Sequence, residues 1–179
     1  MITKPLKAQP AMGAEGLPIR SVLLRSAVCQ HFEVLARSCS GKPETGGILI
    51  GQYRGPHLEV TEVTSPGPAD IGTLSSFVKQ DPVHARRARK IWKASGQTQT
   101  NVGEWHTHPA GGAQPSHVDH QAWLQLSDTL RRSAVFVLAT PSEWAVFLVR
   151  PKDREVRRLA LRHRGATGAV FGHRTSCEA

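Results

Sequence analysis

The residues best suited to chemistry lie in Glu104-Trp105-His106-Thr107-His108-Pro109 and, after a Gly-rich stretch, in Pro115-Ser116-His117-Val118-Asp119. Side chains two positions apart on a strand point to the same face, about 6.5 Å apart along the chain. His106 and His108 can therefore converge on one ion, each ring nitrogen at about 2.0–2.1 Å. Asp119 falls in the first turn of the helix expected after Ser116, and the Gly111-Gly112 loop can fold that turn back over the strand end. Two imidazoles and a carboxylate leave a tetrahedral zinc with an open fourth position for water, the arrangement of a catalytic site rather than a structural one. Ser-x-x-Asp is also a capping-box pattern, in which Ser116 and Asp119 would satisfy the free amides of a helix start. Alternating histidines, taken alone, are often only solvated side chains. The two together, with a Pro-closed loop between them, favour a metal site.

Other polar residues nearby have plainer readings. Glu44 by itself is an exposed acid at the start of a strand after the Pro43 turn. Strand alternation puts Glu104 on the face of His106 and His108, where it either orients an imidazole or forms an ordinary salt bridge. His117 and His120 should project away from Asp119, as solvated or substrate-facing groups. Trp105 and Trp123 read as core aromatics. Cys29, Cys39 and Cys177 are odd in number and lack metal-knuckle spacing, so they read as reduced thiols.

The elements that must position these residues follow from periodicity and turn chemistry. A strand over 20–24 and a helix over 26–38 end at Ser40-Gly41-Lys42-Pro43. Ile48-Leu49-Ile50, bounded by glycines, marks a buried strand within 44–52, paired with an alternating strand over 58–63. A strand over 73–79, a basic helix over 84–93 and a strand over 101–108 follow. A loop over 109–115 leads to a helix from about 116 to 132. Two apolar strands, 134–139 and 143–149, form a hairpin across Thr140-Pro141-Ser142, and 155–162 alternates as a last strand. The expected class is α/β of the α+β type: one domain with a mixed central sheet flanked by helices. Its expected limits are 19–163, with a loose lead-in over 1–18 and a basic, disordered tail over 164–179.

His106-x-His108, seven further residues, then Ser116-x-x-Asp119 resembles the JAMM signature of the JAB/MPN zinc metallopeptidases. Upstream, Glu44-Thr45-Gly46-Gly47-Ile48-Leu49-Ile50-Gly51 resembles the E-x-G-G-x-L-x-G strand of the bacterial members. The likeness covers about residues 20–150 and implies an MPN/JAB-like fold. It also implies a Zn2+ cofactor held by His106, His108 and Asp119. Glu44 would then be the general base toward water activated by the zinc, and Ser116 would hydrogen-bond the oxyanion. The implied activity is (iso)peptidase: hydrolysis of an amide or isopeptide bond at the C-terminus of a ubiquitin-like or conjugated partner protein. A bacterial conjugation or antiphage defence operon with an E1/E2-like enzyme is the implied setting. RadC-type nucleic-acid-associated proteins resemble the same zinc motif and form the alternative, along with small-molecule amide hydrolysis.

Composition bounds these readings. The 179 residues are 39% hydrophobic and 21% charged, enough for one core and unlike a disordered chain. No apolar run approaches the ~20 residues of a membrane span, and the N-terminus lacks a signal-peptide pattern, so a cytoplasmic location is expected. The net charge of +9 favours an acidic partner. Nucleic acid is the weaker expectation, because the basic residues are not interleaved with aromatics for base stacking. The basic helix would instead attract an acidic protein surface.

Overall fold

The structure, a computed structural model, describes residues 18–151 and 154–173. In chain order the elements are β1 (Ser21–Arg25), α1 (Ser26–Ser38), β2 (Gly46–Arg54), β3 (His57–Val63), β4 (Ile71–Gly72), β5 (Phe77–Val78) and α2 (Val83–Ala94). There follow β6 (Thr100–Thr107), α3 (His117–Leu130), β7 (Ala134–Ala139), β8 (Trp144–Val149), β9 (Val156–Arg158), β10 (Ala160–Gly165) and β11 (Gly168–Gly172). Nine strands form one sheet in the order β10-β11-β1-β3-β2-β6-β7-β8-β9. The β1–β3 and β6–β7 pairs are parallel and the rest antiparallel, so the sheet is mixed, as expected. Its two edge strands, β9 and β10, are separated in the chain by Leu159 alone. One residue spans at most about 3.6 Å, so the sheet curls until its edges meet.

The apolar runs of β7 and β8 are explained by burial on both faces. Val135, Val137 and Ala139 pack with Phe32, Leu49 and Trp105 in a core that includes Val28 and Cys29 of α1. Phe136 and Leu138 pack on the opposite side with Trp123 of α3. In α2, only His84 is buried; Arg86, Arg87, Arg89, Lys90 and Lys93 are exposed.

Three expectations need correction. The strand expected over 73–79 is reduced to Phe77–Val78 of β5, because 73–76 turn back from β4: the Thr73 N–H donates to the Ser76 carbonyl at 2.8 Å. The last strand breaks at Leu159, whose N–H goes to the Val146 carbonyl at 2.8 Å, giving β9 and β10 on opposite sheet edges. The domain does not end at 163 in a loose tail, since β11 pairs with both β1 and β10 and buries Ala169 and Phe171. Gly168 permits this by close approach: a Cβ there would lie 2.0 Å from the Leu24 carbonyl oxygen. The remainder of that tail, 174–179, and residues 1–17 of the lead-in lie outside the described residues.

A segment over 64–83 leaves the sheet and carries β4 and β5. At its neck the Asp70 carboxylate accepts N–H groups from Gly67 (2.7 Å), Gln80 (2.8 Å) and Asp81 (2.7 Å), and lies 2.8 Å from His84 Nε2. Burial pushes the Asp70 carboxyl up, but the backbone donors of Asp81 and Gly67, with His84, outweigh it and hold it down at about 2. A depressed carboxyl stabilises the fold above its unfolded pKa of about 3.9 and ceases to as pH falls through its folded value. The urea midpoint of the protein should therefore exceed that of Asp70→Asn at neutral pH. The gap should narrow between about pH 4 and pH 2; a gap that does not change with pH would refute the assignment.

Candidate metal centre

His106 and His108 share a face because strand geometry continues beyond β6: the His108 N–H donates to the Ala139 carbonyl of β7 at 2.8 Å. The third residue arrives from α3. Trp123 is buried and stacks on Phe136 with ring centres 4.5 Å apart, and its ring lies 6.1 Å from that of His106. That packing anchors α3 with its N-terminus over the two imidazoles. Ser116 is its cap: the Asp119 N–H donates to Ser116 Oγ at 3.1 Å. In return Asp119 Oδ2 accepts the Ser116 N–H and O–H, each at 2.7 Å. The capping box is therefore formed, and it also fixes the carboxylate.

His106, His108 and Asp119 are the three-residue group of metal-type ligands among the described residues. His106 Nε2 lies 3.1 Å from His108 Nε2 and 3.1 Å from Asp119 Oδ1, and His108 Nε2 lies 3.3 Å from Asp119 Oδ2. Ligands about 2.0–2.1 Å from one tetrahedral ion stand roughly 3.3–3.4 Å apart. The two imidazoles stand near that spacing, and the Asp119 carboxylate bridges them, one oxygen to each, so the three side chains converge closely enough to fit one metal. Burial pushes the Asp119 carboxyl up, but hydrogen bonds from His106, His108 and Ser116 hold it well below the usual carboxylate range. It is ionised at neutral pH, the form a ligand requires. The Asp119 hydrogen bond raises His108 above its ordinary value, against the opposing effect of burial.

Glu44 joins the same face. Gly46 of β2 stands opposite His106, and the ladder runs one step further, with the Thr107 N–H donating to the Thr45 carbonyl at 2.8 Å. Glu44, two residues before Gly46, is thereby placed across from His108. Burial pushes its carboxyl up; His106 and His108 oppose that rise and Asp119 adds to it.

Glu104 does not orient an imidazole. Its carboxylate is taken by Lys79, just after β5. His117 is exposed and its Nε2 lies 2.9 Å from Gln121 Nε2, whereas His120 is half-buried and outside the ligand group. Cys29 and Cys39 are free and buried, and burial pushes both thiols up. Sequence reasoning missed the segment over 64–83 beside Glu44. Its signal was faint: turn residues at Ser65-Pro66-Gly67-Pro68 and a single histidine within a cationic helix.

Residues 30–164 match the family described as prokaryotic homologs of the JAB domain. A CD-NTase/cGAS isopeptidase from Escherichia coli is 29% identical over 103 residues, covering 58% of this chain and 66% of that protein. A CD-NTase/cGAS isopeptidase from Vibrio cholerae is 37% identical over 81 residues, covering 45% and 52% respectively. The matches thus span about half to two-thirds of those curated relatives. The solution structure of protein DSY2949 from Desulfitobacterium hafniense superposes with a TM-score of 0.55 at 22% identity, covering 76% of this chain and 88% of that one. That likeness concerns the fold alone. No helix among the described residues is long and apolar enough to cross a membrane.

Proposed function

We propose that this chain, which belongs to the prokaryotic homologs of the JAB domain, is a zinc-dependent isopeptidase. It hydrolyses the amide or isopeptide bond that joins the C-terminus of a ubiquitin-like or similarly conjugated protein to its partner. The names of its relatives favour a CD-NTase/cGAS conjugate; the setting proposed with it, from the family resemblance, is a defence-associated conjugation system with an E1/E2-like enzyme in the cytoplasm. The observation that carries this reading is the convergence of three ligand side chains, each pair in contact at 3.1–3.3 Å, on the face that also holds Glu44.

His106, His108 and Asp119 hold the zinc. Zinc, when bound, supplies a Lewis acid for the scissile carbonyl and lowers the pKa of water to about 7. The Glu44 carboxylate accepts the proton of the attacking water and delivers it to the leaving nitrogen. The Ser116 O–H turns from Asp119 to the developing oxyanion, while the Ser116 N–H stays on Asp119 and keeps that carboxylate in place.

The substrate tail lies extended beside β5, whose outer edge has no strand partner among the described residues. Exposed Ile71, Leu74 and Val78 there offer apolar contacts, and backbone pairing supplies affinity. The cations of α2 steer an acidic protein surface toward the site.

Ser116→Ala separates two roles. Loss of the cap should lower stability by about 1 kcal/mol. Loss of the oxyanion donor should lower turnover about 10²–10³-fold, with kcat falling more than KM rises. Zinc occupancy should persist, because the Ser116 N–H contact to Asp119 survives. Lowered stability with normal kcat would leave Ser116 a cap and nothing more.

The function itself is tested by a trap. Zinc-loaded Glu44→Gln protein is expressed in the native host and recovered, and its bound species are identified by mass spectrometry. A protein linked through its C-terminus to a lysine or to another chain is the expected capture. Nuclease-sensitive material without such a conjugate would overturn the reading.

A further inference from the structure

Glu44 sits just outside the regular ladder, since β2 begins at Gly46. Its own backbone therefore needs another support, and the segment over 64–83 supplies it. The Glu44 N–H donates to the Thr73 carbonyl at 2.6 Å. Gly72 lies so close that a Cβ there would stand 2.0 Å from the Glu44 carbonyl oxygen and 3.4 Å from Pro43 Cβ. Two residues further along β2, the Phe77 ring covers Gly46, where a Cβ would meet it at 2.7 Å. Lys79 then pairs with Glu104, two residues before His106. The segment thus touches the chain on both sides of Glu44 and the strand that carries the histidines.

Its neck is fastened deep in the protein. The Thr64 N–H donates to the Ile48 carbonyl at 3.0 Å, and Thr64 Oγ1 accepts the Ile48 N–H at 3.0 Å. The Trp105 Nε1–H donates to the Thr64 carbonyl at 3.1 Å. The His84 ring closes the neck, with Nδ1 2.6 Å from Thr64 Oγ1 and Nε2 2.8 Å from Asp70 Oδ2, and the His84 and Asp70 side chains are both buried. Asp70 in turn gathers the chain on either side of β4 and β5 through Gly67, Gln80 and Asp81. A loop tied this firmly at its base presents its tip in one place.

We propose that residues 64–83 are a strap that sets the position of Glu44, with Gly72 and the Thr73 carbonyl as its contact and the Asp70–His84 pair as its latch. This rests on Glu44 being the general base. Gly72 and Asp70 are positioning residues; neither reaches the reacting atoms. Catalytic geometry tolerates little error, and a displacement of about 1 Å can cost about 10²-fold in rate.

The test is Gly72→Ala in the zinc-loaded full chain. The added methyl has no room against the Glu44 carbonyl, so the tip must lift while the neck keeps every bond. Amide hydrogen exchange at Glu44 should accelerate at least tenfold, with zinc stoichiometry unchanged. The kcat on the conjugate that Glu44→Gln captures should fall about 10–100-fold at saturating substrate, by the same geometric argument. A purely structural defect would not leave the metal and the other amides as in the wild type. Wild-type exchange at Glu44 would overturn the strap, and lost protection with wild-type kcat would overturn its positioning role. Should Gly72→Ala fail to fold, Asp70→Asn loosens the latch instead: exchange should then accelerate at Gly67, Gln80 and Asp81 as well as at Glu44, with zinc stoichiometry unchanged and the same fall in kcat. Failure of the reading beneath it would show separately: full turnover by Glu44→Gln would remove Glu44 as the base, and a trap that captures no conjugate would remove the peptidase.

Discussion

Alanine at His106 or at Asp119 is expected to abolish zinc binding and turnover together. Each is one of three candidate ligand side chains in pairwise contact at 3.1–3.3 Å. Two ligands and water cannot replace the three. Loss even of a group that merely orients a ligand typically costs about 10–100-fold in affinity, so loss of the ligand itself should cost more. Zinc content after dialysis should drop from one per chain to near zero, and hydrolysis should fall below detection. A second measurement is independent of substrate. A metal that binds only the folded state stabilises it by mass action, so added zinc should raise the Tm of the wild type and leave that of His106→Ala unchanged. Chelator should reverse the wild-type gain and zinc restore it, whereas thiol reagents should do nothing to the buried Cys29 and Cys39. A His106→Ala protein that keeps its zinc and its activity would overturn the ligand assignment.

The geometry of the candidate site was legible because its parts are local. His106 and His108 are fixed on one face by strand alternation, and Ser116 and Asp119 by the first turn of a helix. Both relations span three residues or fewer, and the capping box that competed with the metal reading proved to be the device that holds the carboxylate. The apolar runs of β7 and β8 were equally plain, since burial on both faces leaves an uninterrupted signal. What sequence pattern could not reveal depends on partners far along the chain. Gly168-Ala169-Val170-Phe171-Gly172 looked like the start of a frayed tail, and only its meeting with β1, nearly 150 residues earlier by number, makes it a strand. Glu104 was open between an imidazole and a cation until Lys79 was brought to it from 25 positions away. The strap likewise has almost no regular structure, and its order comes from one carboxylate and one imidazole at its neck.

Glu44→Gln is expected to part company with the ligand substitutions. Glutamine keeps the length and shape of the side chain, and the main-chain contact to Thr73 is indifferent to it. Zinc should therefore remain at one per chain, within a few-fold of wild-type affinity. The amide cannot accept the proton that the attacking water must lose, nor deliver it to the departing nitrogen. Proton transfer by a placed side chain contributes about 10²–10⁴-fold, and kcat should fall by that amount with KM little changed, since the contact matters chiefly in the transition state. The environment of Glu44 is what makes a large effect reasonable. It stands across from His108 on the ligand face, where burial raises its carboxyl and His106 and His108 oppose that rise. An exposed acid after a proline turn would have no such tuning, and its removal would cost almost nothing. A near-wild-type kcat would therefore remove Glu44 as the base and return it to that plainer role. A protein that binds zinc and substrate yet stalls is also what the trap requires, so the capture experiment and the rate measurement stand or fall on the same carboxylate.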